Sequence, residues 1–205
     1  MTTAVARPTP RPEPTQERAR ARKCAVLKAA NDLVMSGHIG DITTTSVARK
    51  AGIPVGSVYR YFDDRVDILD HLYRAAYNEI ESGMADAQQA APMNMPVSDT
   101  IEYLLNVFVK TARSHPSFRT LTQWANKHYS LWDVTPGDGS NLAALVEKIL
   151  VDGGVSFPPE RHDAATKTIV TVVSILVDLS LEEEDEGKAQ ALINELGHLL
   201  NRYLE

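Results

Sequence analysis

Cysteine is nearly absent from this chain of 205 residues: Cys24 stands alone. It cannot close an intramolecular disulfide or build a cysteine zinc site, and the helical phase puts it on the buried stripe of the first helix, as packing. Also missing is any run of about eighteen continuous apolar residues, the length a membrane helix needs. The N-terminal residues lack the apolar stretch of a secretory signal, so a cytoplasmic protein without a membrane partner is expected. Enzymatic chemistry finds little to stand on. The six histidines are scattered, there is no His-Glu-x-x-His and no glycine-rich phosphate loop, and no base lies near Cys24 in sequence. The expectation is no catalytic residue, no metal and no cofactor. Five successive acids at Glu182–Glu186 resemble a metal site only superficially, because they point all around a helix end and read as a solvated charge run.

Sustained alternation of apolar and polar residues is missing too, so the fold class expected is all-α. Thr168 to Val177 is rich in β-branched residues, but its length and flanks favour helix. What the chain does have is 43% apolar residues, enough to bury a core, and a net charge of −6 that is unevenly spread. Residues 1–65 hold 11 Lys/Arg against 6 Asp/Glu, and residues 66–205 hold 10 against 21. The N-terminal end prefers polyanions, although part of the excess sits in a tail before residue 24.

That tail, residues 1–14, carries Pro8, Pro10, Pro12 and Pro14 and reads as a disordered arm. From Thr15 the pattern turns helical, with Val26, Leu27, Ala30, Leu33 and Val34 at three-and-four spacing up to Ser36-Gly37. Thr43-Thr44-Thr45 offers hydroxyls to a second helix start, Gly52 and Pro54 end that helix, and a third runs from about Val55 to Phe62. Asp63-Asp64 opens a fourth that reaches about Gln89, and Pro92 and Pro96 break the pattern. Further amphipathic helices follow at about 98–114, 117–130, 139–152, 159–182 and 186–204. The reading is a small three-helix domain at 15–65 and a larger helical one at 66–205.

The segment from Thr44 to Phe62 reads as two helices meeting steeply across a tight turn, a helix-turn-helix. Ala48 is small where the third helix crosses, and Gly52 permits the turn. Val47, Ala51, Ile53, Val58 and Phe62 supply apolar contacts to helix one. Ser57, Tyr59, Arg60 and Tyr61, with Thr44 and Thr45 at the head of helix two, are left facing outward. Such a helix fits the major groove, where Arg pairs bidentately with guanine and Tyr reaches a phosphate or a thymine methyl. Gly56 allows close approach of the helix start to the DNA backbone, and hydroxyls near helix starts, with Arg65, suit phosphate oxygens.

Gly52 to Phe62 followed by Arg65 resembles the TetR family of repressors, whose recognition stretch reads Gly-x-Pro/Ser-x-Gly-Ser/Thr-x-Tyr-x-Tyr/His-Phe before a basic residue. The motif resemblance covers residues 16 to about 70. Arg65 stands where the family often has Lys, and His38 where it often has Gly. By position, Thr44, Gly56, Ser57, Tyr59, Tyr61 and Arg65 resemble the DNA-contacting set. With Thr45, Val55 and Arg60 they make the expected DNA-binding residues. The resemblance further implies a C-terminal ligand pocket and a homodimer built by the last two helices, whose stripes are Ile169, Val170, Val173, Val177 and Leu192, Leu196, Leu199, Leu200. Aromatics concentrate in residues 101–132, and Tyr103, Phe108, Trp124, His128 and Trp132 are the candidate contacts for a flat or greasy ligand, Trp124 and His128 being one helical turn apart. The expected function is a ligand-responsive regulator, usually repressing, that holds an inverted-repeat operator and releases it when a small apolar or aromatic effector binds. The rival reading is a helical small-molecule or protein-interaction module with no role on DNA.

Overall fold

The computed structural model describes residues 15–37, 39–90, 95–129 and 141–204, which contain nine α-helices and no strand. The contacts divide the chain into two compact units, one formed by residues 1–78 with 115–135, the other by 79–114 with 136–205.

In the first unit, helix α1 (Glu17–Met35) buries Lys23, Val26, Ala29, Ala30 and Val34. That phase corrects the expectation for Cys24, which is exposed. The inward rows run 23–26–30–34, and Lys23 takes the buried place beside the cysteine. A short 3₁₀ turn (Ile39–Asp41) leads to α2 (Thr44–Ala51), which opens with a reciprocal capping box: Thr43 Oγ1 accepts from the Ser46 amide at 3.0 Å, and Ser46 Oγ accepts from the Thr43 amide at 2.9 Å. At its other end Gly52 takes φ +68°, a left-handed conformation that glycine adopts without strain, and the Ile53 amide bonds back to the Ala48 carbonyl.

Helix α3 (Val55–Val58) is shorter than its sequence pattern predicts. Beyond Val58 the chain continues only as a tight turn, with the amides of Tyr61 and Phe62 both bonded to the Val58 carbonyl. The cause lies just downstream. Helix α4 (Arg65–Ala90) begins within three residues of Phe62, and its start is fixed by Asp64 Oδ1 accepting from the Asp67 amide while Asp67 Oδ2 accepts from the Asp63 amide, both at 2.9 Å. Helix α6 (Phe118–His128) also belongs to this unit, where Phe118 stacks on Tyr73 at 6.1 Å between centroids and 11° between planes.

The second unit holds α5 (Val97–Ser114), α7 (Asn141–Asp152), α8 (Pro159–Glu182) and α9 (Glu186–Leu204). Helices α5 and α7 pack on α8, and α9 packs on both α8 and α5. Leu104, Leu105, Ile169, Leu181, Ile193 and Leu196 are buried there. Arg113 ties α5 to the end of α8, donating from Nη2 to the carbonyls of Ser180 at 2.8 Å and Glu183 at 3.2 Å. Those carbonyls close a helix C-terminus, where a cation is favourable.

Candidate functional site

The turn between α2 and α3 presents Thr45, Gly56, Tyr59 and Arg60 to solvent, with Val55, Ser57 and Tyr61 half-exposed beside them. Beneath this edge lie Val47, Ala48, Val58 and Phe62, all at most 1% exposed. Of the residues expected to brace the pair, Val47, Val58 and Phe62 are buried whereas Ala51 and Ile53 stay half-exposed, and the polar side chains share one outward edge. A Cβ at Gly56 would meet nothing within 4 Å.

Thr44 departs from its expected outward placement. Its side chain is buried, and its hydroxyl lies 3.0 Å from the hydroxyl of Tyr59, fifteen residues away. The pair joins the head of α2 to the outer edge of the α3 turn, so the orientation of the half-exposed Tyr59 ring is set from the neighbouring helix. Periodicity could not show this, because the contact crosses between two elements.

The two arginines flanking the turn have different employment. Among the described residues no acidic or polar partner engages Arg60. Arg65, one turn of chain later, reaches back to the 3₁₀ turn: Nη2 donates to the Ile39 carbonyl at 3.2 Å and Nη1 to the Gly40 carbonyl at 3.4 Å. Its guanidinium thereby holds the loop that precedes the α2 cap.

Behind the motif lies a charged cluster that sequence reasoning missed. Asp67, 2% exposed, places Oδ1 3.1 Å from Nδ1 of His71, whose ring meets Phe62 edge-on at 5.1 Å. Hydrogen bonding to Asp67 holds the His71 pKa above the usual value for histidine, against the opposing effects of burial and of Lys23. Lys23 lies over the Phe62 ring at 5.9 Å. Asp70, also buried, receives a 2.6 Å bond from Arg74. The available signal was Asp-Asp-x-x-Asp at a helix start, in which the third acid stands at the position that caps.

The candidate ligand residues distribute over both units. Tyr103 and Phe108 lie half-exposed on α5 in the second. Trp124 and His128 lie on α6 in the first, with the rings stacked at 4.8 Å and 29°, as their spacing suggested. Tyr129 meets the indole edge-on at 5.6 Å. Trp132 falls outside the described residues. No cluster of three or more potential metal ligands occurs among the described residues.

By sequence, no family model and no curated protein matches the chain. Its structure resembles that of a fatty acid degradation regulator, FadR, from Bacillus halodurans, with a TM-score of 0.63 at 17% identity over 93% of this chain and 96% of the other. A TetR transcriptional regulator from Rhodococcus sp. RHA1 aligns with a TM-score of 0.59 at 20% identity, covering 90% and 97% of the two chains. A TetR-family regulator from Streptomyces coelicolor gives 0.57 at 20% identity, with 91% and 97% covered. Identities this low speak to architecture alone. The chain has the all-α, two-domain fold of the TetR-family transcriptional regulators.

Proposed function

We propose that this protein is a ligand-responsive transcriptional regulator, a repressor in its usual mode, which occupies an inverted-repeat DNA site as a homodimer and leaves it when a small apolar or aromatic effector binds. The observation that carries the reading is the α2–α3 turn: a pair of short helices, the first held by a capping box at Thr43 and closed at Gly52, whose outward edge offers Thr45, Gly56, Tyr59 and the unengaged Arg60. Arg60 and Tyr61 read base edges, and Thr45, Ser57 and Tyr59, with the backbone at Val55 and Gly56, seat phosphates, while the buried Thr44 hydroxyl orients the Tyr59 ring. Arg65 adds charge and holds the loop at Ile39 and Gly40.

The dimer of this proposal forms through α8 and α9. Ile175, Leu179 and Leu199 stay 36%, 47% and 46% exposed, large apolar side chains on the two helices. Helix α8 has the length and hydropathy of a membrane span, and only 39% of its most apolar stretch is buried within one chain. A second copy covers that surface and supplies the second reading head that a two-fold DNA site requires. An effector that prefers the non-binding spacing of the two heads then shifts the population off DNA; about 3 kcal/mol of preference weakens binding over a hundredfold. An apolar effector suits the aromatic content of the sequence at residues 101–132, and the likeness to a fatty acid degradation regulator points the same way.

The test is fluorescence anisotropy with DNA from upstream of the protein's own gene against scrambled DNA over a salt series, run beside sedimentation of the Leu179→Asp variant. Tight binding confined to the upstream DNA, falling steeply with salt, together with monomer formation in the variant, is the expected result. Equal, weak binding to both DNAs overturns the DNA reading. A native chain that sediments as monomer, or that requires detergent, overturns the dimer.

A further inference from the structure

Buried polar groups are nearly always hydrogen-bonded, so a buried donor without a partner marks either an internal water or a place reserved for a ligand. Trp124 carries such a donor. Its side chain is 3% exposed and its indole Nε1 has no hydrogen-bond partner. The ring is also held in place. His128 stacks on one side of it, and that imidazole is fixed in turn, because its Nδ1 lies 2.8 Å from the Trp124 carbonyl, which can only accept, so Nδ1 carries the proton. Tyr129 meets the same ring edge-on, and its amide continues the α6 ladder to Ala125 at 2.8 Å. Clamped by two neighbours, the indole is not free to swing its N–H toward another protein group.

We propose that the Trp124 indole N–H is the specificity-determining donor of the effector site, and that the effector carries a carbonyl-type oxygen on its apolar body. The inference rests on the regulator reading for the word effector, but the donor, its burial and its clamp stand independently of DNA. A phenyl ring at this position would be buried without leaving a donor unpaired. The N–H therefore makes an acceptor-bearing ligand preferable to a hydrocarbon of the same shape, because only the former removes the unpaired group. The class is an aromatic or aliphatic ketone, ester, amide or acid.

Acetophenone and cumene make a matched pair of probes, one presenting an oxygen where the other has a methyl group. The chain has two tryptophans, so protein labelled with ¹⁵N-tryptophan gives two indole resonances, and Trp132→Phe identifies that of Trp124. Acetophenone is expected to move the Trp124 indole proton downfield, as a new hydrogen bond does, and cumene to leave it in place. In Trp124→Phe the affinity ratio of acetophenone to cumene should fall roughly 3- to 10-fold, the worth of one neutral hydrogen bond. Equal shifts with both probes, no shift with either, or a cross-peak from the Trp124 indole proton to a bound water in the free protein each overturn the proposal. If Trp124→Phe fails to fold, the spectra of the Trp124-containing chains still decide. Anisotropy on the same samples separates the two readings: a downfield shift in protein that ignores DNA keeps this inference and removes the regulator, whereas DNA binding without the shift does the reverse.

Discussion

The α2–α3 segment and the last two helices represent opposite ways of writing structure into a chain. Helices α2 and α3 are 8 and 4 residues long, too short to persist alone, and each boundary is held by a named device: Thr43 with Ser46, Gly52, Pro54 and Asp64. Helices α8 and α9, of 24 and 19 residues, have fewer such devices for their length. Helix α8 has no side-chain cap at Pro158 and is closed by Arg113 at its far end, α9 opens on Asp185 Oδ1 accepting from the Lys188 amide, and apolar stripes run along both. Turn chemistry is local, so it specifies geometry within a few residues. A stripe states that a helix packs without stating against what. The α2–α3 segment should therefore be intolerant of single changes at its punctuation and at its braced core, while the long helices should absorb comparable changes.

The largest effect is expected at Phe62, which is fully buried, edge-on to His71 and beneath Lys23. Phe62→Ala should cost about 3–5 kcal/mol in urea unfolding, because removing a fully buried phenyl ring loses its burial and leaves a cavity. A loss below about 1 kcal/mol would mean that the motif does not depend on this anchor. Next in size are the two arginines. Under the proposed function, Arg60→Ala should narrow the gap between native and scrambled DNA by about 10- to 100-fold, the worth of one bidentate base contact. Arg65→Ala should weaken both DNAs alike, since it releases the carbonyls of Ile39 and Gly40. Identical anisotropy profiles for the two variants would erase the distinction between reading and bracing.

A pair of glycines sharpens the comparison at smaller cost. Gly52 sits at φ +68°, where an added Cβ crowds the backbone, so Gly52→Ala should destabilise by about 1–2 kcal/mol. Gly83 lies inside α4, and a Cβ there would meet only Thr111 Cγ2 at 3.8 Å, an ordinary contact. Gly83→Ala should stabilise by about 0.5–1 kcal/mol by lowering the entropy of the unfolded chain. Thermal melts showing the same sign for both would defeat the claim that local backbone geometry governs the motif.

The legibility of the chain follows the same division. Helix positions were readable except at the end of α3, which stops at Val58 instead of about Phe62, since Gly52, Pro54, Asp64, Pro92 and Pro96 punctuate strong three-and-four patterns. The all-α class followed from them. The phase of α1 was less readable. Lys23 reads as a surface residue, but it is buried with its ammonium over the Phe62 ring, and Cys24, the apolar-looking neighbour, is exposed. Tertiary contacts were the least visible. Tyr59 to Thr44, Arg65 to Ile39 and Phe118 to Tyr73 each join elements distant in sequence, and nothing in either partner's local pattern names the other. The Trp124–His128 stack was readable because one turn of helix brings its members together; the unpaired indole N–H was not, because an absence of partners has no sequence pattern.

The smallest expected effect concerns His71 and tests whether the charged cluster is part of the punctuation or merely beside it. Its pKa is raised, chiefly by the hydrogen bond to Asp67, so the folded state holds the proton more tightly than the unfolded state does. The sign follows from linkage: this contribution to stability is complete below the unfolded value of about 6.5 and disappears as pH rises through the higher folded value. His71→Gln also removes the edge-on contact with Phe62, a loss independent of pH. The stability gap between native protein and variant should therefore be widest on the acid side of 6.5 and shrink to a constant remainder in mildly alkaline solution. A gap that stays flat across that range would place the His71 proton outside the energetics of the fold and leave Asp67 with its capping role alone, accepting the Asp63 amide at the start of α4.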